Sequence, residues 1–102
     1  MANKTELLNF LDKNVFHPIL NAKEEKYGTR QREQLQDLKR RTEEEKARFH
    51  GYDSAERIVS MYKDDLSSEA ARPVNAMLKD LGLPRLVDVR DEFLRLAGER
   101  AA

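Results

Sequence analysis

From Thr29 to His50 the chain is dominated by Arg, Gln, Glu and Lys, with Gly28 before the segment and Gly51 after it. These are strong helix formers between two residues that suit helix ends, so the segment predicts one long helix. Its difficulty is burial. The apolar positions are Leu35, Leu38 and Phe49, and Gln31, Thr42 and either Glu45 or Lys46 complete a sparse heptad-like seam. Lys and Arg stems cover some apolar area, but a seam this thin must lie against another segment.

The preceding residues offer one. Leu7, Leu8, Leu11, Val15, Ile19 and Leu20 recur at spacings of three and four, with Lys4, Asp12, Lys13 and Asn14 between them, which predicts an amphipathic helix. Asn3 is placed to cap it, with Glu6 completing a capping box. Pro18 lacks a donor and disfavours a helical His17, so a restart is expected there. Laid antiparallel, the two segments make a charged helical hairpin over residues 1–50. A second copy of the chain is the alternative burial partner.

Beyond Gly51 the texture changes. Asp53-Ser54-Ala55-Glu56 supplies a helix start, and Ala55, Ile58, Val59, Tyr62 and Leu66 line one face. Ser67 and Ser68 then offer caps for a helix with Ala71, Val74, Met77, Leu78 and Leu81 as its stripe and Gly82 as its left-handed stop. Pro73 falls near its first turn. Leu83-Pro84 opens a last helix, with Leu86, Val89, Phe93, Leu96 and Ala97 facing inward before Gly98. No segment alternates with period two over a useful length. The expectation is an all-α chain of four to five helices: a long N-terminal helical hairpin plus a compact three-helix cluster over residues 53–98, within a single domain spanning residues 1–102.

Composition narrows function by exclusion. The 102 residues carry 19 basic and 19 acidic side chains, so no global field draws the chain to a polyanion. No cysteine is present, which removes disulfides, thiolate catalysis and cysteine-based zinc sites and suits a reducing compartment. The residues after Met1 lack the continuous apolar run of a signal peptide, and no stretch approaches the roughly 20 apolar residues that span a bilayer. The cytoplasm is the expected location, with no membrane association.

Candidate chemistry is sparse. Residues 27–50 hold seven basic against five acidic side chains, and Arg30, Arg40, Arg41 and Arg48 are the candidate phosphate contacts. Asp37 with Arg41 and Glu44 with Arg48 sit at the four-residue spacing of a solvated helix face, and the acidic triplet Glu43, Glu44, Glu45 opposes a polyanion. A helix-turn-helix reading of residues 69–97 is opposed by Asp88, Asp91 and Glu92 beside Arg85, Arg90 and Arg95. His17 and His50, at the ends of separate elements, lack the further ligands of a metal site. Asp64-Asp65 and the Asp88, Asp91, Glu92 group have no calcium-loop spacing, and no glycine-rich phosphate loop or nucleophile elbow occurs. No cofactor is expected.

Phe10 and Phe16 fall off the stripe of the first helix and are candidates for an exposed aromatic surface, or else for packing on the third to fifth helices. These features together predict a non-catalytic helical protein–protein interaction module. The reading includes a homodimer whose seam is Leu7, Leu11, Val15, Leu35 and Leu38. The alternative is a small nucleic-acid-associated protein using the four arginines.

Overall fold

The computed structural model describes residues 2–98. It is all-α, with five helices and, among the described residues, no strand. Helix α1 runs α-helically over Lys4–Leu11, widens to a π turn over Asp12–Phe16 and returns to α geometry over His17–Leu20. Helix α2 is Thr29–His50. Helix α3 is Ala55–Met61, continued by a second π turn over Tyr62–Leu66. A 3₁₀ turn over Glu69–Ala71 feeds α4, Arg72–Asp80, and another over Leu86–Val89 feeds α5, Arg90–Leu96.

The capping box at the first helix is present, with Asn3 Oδ1 accepting from Glu6 N at 2.9 Å. The expected restart at Pro18 is not. His17 keeps helical angles and donates its N–H to the Asp12 carbonyl, five residues back, so the helix passes its proline by widening one turn. The widening also corrects the side-chain register. Leu11 and Phe16 are five residues apart, off one face of an α-helix but in step with a π turn. Phe16 therefore swings into the core at 1% exposure, beside Val15 and Ile19.

Other local expectations shift for physical reasons. Ser54 caps α3, accepting from Arg57 N at 3.1 Å. Ser67 and Ser68 cap nothing that follows. Their hydroxyls donate backward, Ser67 to the Tyr62 and Lys63 carbonyls and Ser68 to that of Asp64, and so close the end of α3. Pro84 lies in the extended linker ahead of the last helix rather than in its first turn. That turn is held by the side chain of buried Asn75, whose Oδ1 accepts from Leu86 N at 2.8 Å. Gly82 has φ of +71° and ends α4 as expected, with Leu83 N donating to Leu78 O across it.

One hydrophobic core runs from Ala2 to Ala97 and includes both halves of the chain. Leu35 and Phe49 of α2 are fully buried within it, so the hairpin packs on its own chain. Rings join the helices. Phe10 meets Phe93 at 5.8 Å between centroids, Phe93 stacks on Tyr62 at 4.2 Å, Phe16 meets Phe49 at 5.9 Å, and Phe49 meets Tyr52 edge-on at 5.2 Å. The hairpin tip is anchored as well, because Tyr27 Oη donates to the Leu81 carbonyl at the end of α4. The described chain is elongated, 43 × 27 × 19 Å overall.

Leu35→Ala is expected to cost about 2–5 kcal/mol, as for other fully buried leucines, read from urea unfolding; a cost near zero would mean that the long helix is not docked. Burial raises the Tyr62 phenol above its ordinary pKa, and the hydroxyl donates to the Leu86 carbonyl at 3.0 Å. The folded state thus disfavours the phenolate, so this contribution is complete below about pH 10 and fades as the pH rises further. Urea midpoints followed from about pH 8 to about pH 11 should fall less for Tyr62→Phe than for the native chain.

Candidate functional site

The seam of α2 runs Leu35, Leu38, Thr42, Glu45 and Phe49, and it turns polar in its middle. There α2 stands away from the C-terminal helices and leaves a cleft of about 240 Å³. Tyr27, just ahead of α2, reaches the C-terminal half at the Leu81 carbonyl.

The floor is apolar. Val15, Phe16 and Ile19 of α1, Leu38 of α2, and Leu66, Ala71 and Leu86 of the C-terminal half form it, all buried. Both π turns contribute, the first through Val15 and Phe16 and the second through Asp65 and Leu66. Single π turns inside α-helices recur at functional sites because they re-aim side chains that regular geometry would place elsewhere. Val74 and exposed Ala70 form one wall, and Arg41, Glu44 and Arg48 of α2 form the charged rim opposite.

Two carboxylates set the electrostatics. Glu45 pairs with Arg48 through Oε1, while its Oε2 is shielded from solvent and has no hydrogen-bond partner. Asp65 Oδ2 is in the same condition on the facing element. Shielded acceptors without donors cost roughly 1–3 kcal/mol each. The rim arginines are engaged elsewhere, Arg41 with Asp37 at 3.0 Å and Arg48 with Glu45. The ionisable lining is Arg41 and Arg48 against Glu44, Glu45 and Asp65, an excess of one negative charge.

The residues expected to act from sequence are placed differently. Leu7, Leu11, Val15, Leu35 and Leu38 are all within 3% of full burial in their own chain, so the proposed dimer seam is consumed internally. Phe16 is buried against Phe49, and Phe10 is half-buried against Phe93. Of the candidate phosphate contacts, Arg40 pairs with Asp37 and Glu44, Arg41 with Asp37, and Arg48 with Glu45. Arg30 stands exposed on the first turn of α2. At the 3₁₀ turn ahead of the last helix, Arg85 holds Asp88 at 2.8 Å and keeps that carboxyl below its ordinary pKa.

The hairpin does not bring the histidines to each other. His50 Nε2 lies 2.9 and 3.0 Å from the Asp12 carboxylate oxygens, and His17 Nε2 lies 3.3 Å from Lys46 Nζ, each tying α1 to α2. No group of three His, Cys, Asp or Glu suited to a metal occurs among the described residues. No helix there is long and apolar enough to cross a membrane.

Sequence reasoning set Asp64-Asp65 aside for want of calcium-loop spacing and assigned Glu45 to an incomplete seam. The signal for the cleft was present in that seam, because polar Thr42 and Glu45 occupy positions whose neighbours are core residues. No family model, curated protein or solved structure matches this chain.

With the leucine seam buried, the chain is expected to sediment as a single species of 11.9 kDa at micromolar concentration. A stable dimer under those conditions would show that another surface pairs the copies.

Proposed function

We propose that the protein is a non-catalytic interaction module that receives a side chain of a partner polypeptide in the cleft between α2 and the C-terminal helices. The observation that carries this reading is a preformed recess with a floor of rigid core residues and a charged rim, at the point where the long helix loses its apolar seam. A volume of about 240 Å³ lies below the roughly 300–1,000 Å³ of small-molecule pockets and suits one side chain. A pocket that seats one anchor residue, ringed by polar groups, is the anatomy of a protein-binding hot spot.

Catalysis is poorly served by this lining. It contains no histidine, cysteine, serine or lysine, its one hydroxyl is Thr42, and its carboxylate Glu45 is already paired with Arg48. Docking therefore uses the cleft better than chemistry does. Nucleic-acid binding is the weaker reading, because three of its four arginines are neutralised along their own helix. We place the module in the cytoplasm as part of the same proposal, since a chain without cysteine depends on no oxidising compartment.

A random 12-residue peptide library displayed on phage and selected on the native chain tests the reading. Ala70→Trp serves as the counter-target, since it fills the cleft mouth from an exposed position. Selected peptides should bind the native chain at least tenfold more tightly than Ala70→Trp. Peptides indifferent to the tryptophan, or no enrichment at all, would overturn it.

A further inference from the structure

We draw no further inference here: the strongest candidate, the open recess between the end of α3 and the start of α4 lined by Ser67, Ser68, Glu69, Arg72, Asn75 and exposed Val87, has its Asn75 Oδ1 engaged by Leu86 N, its Arg72 by Glu69 and both serine hydroxyls by carbonyls of the preceding π turn, and nothing in the structure shows what covers it.

Discussion

A long charged helix with a thin apolar seam has to be given a core by something else, and here α1 provides it. Lying between α2 and the C-terminal helices, α1 must present apolar side chains to two neighbours at once. A regular α-helix with a single stripe serves only one. The π turn over Asp12–Phe16 resolves this by changing the phase of the helix partway along. Phe10, ahead of it, meets Phe93 of α5, and Phe16, at its end, meets Phe49 of α2. The remaining contacts assemble around those two rings.

The cleft is a consequence of the same arrangement. Tyr27 just ahead of α2 holds the C-terminal half at Leu81, and Phe49 near its end holds α1 at Phe16. Where Thr42 and Glu45 replace the expected apolar residues, nothing closes the gap. Thr42 is buried there and Glu45 half-buried, each at a position where the seam would otherwise be apolar. Retaining polar groups where apolar ones would stabilise is the kind of local inconsistency expected at a functional position.

The sequence reading succeeded where local physics dominates. The cap at Asn3, the stop at Gly82 and the extent of α2 depend on groups within one turn of each other, and such groups are neighbours in any fold of the chain. It faltered at two places. Ser67 and Ser68 read as caps for the next helix, but their hydroxyls donate to carbonyls four and five residues back. Pro84 read as a first-turn proline, but Asn75, eleven residues before Leu86, fixed where that turn begins.

By itself, then, the sequence determined that the chain is helical, where most helices stop and which faces need burial, because periodicity and capping are local properties. It also contained, unrecognised, the polar break in the α2 seam. Only the tertiary structure decided that the seam is satisfied within one chain, that Phe10 and Phe16 point to different neighbours, and that Glu45 and Asp65 share a recess. Those outcomes depend on how helices far apart in sequence cross and on a one-residue change of helical phase at a π turn, neither of which a 3.6-residue period encodes.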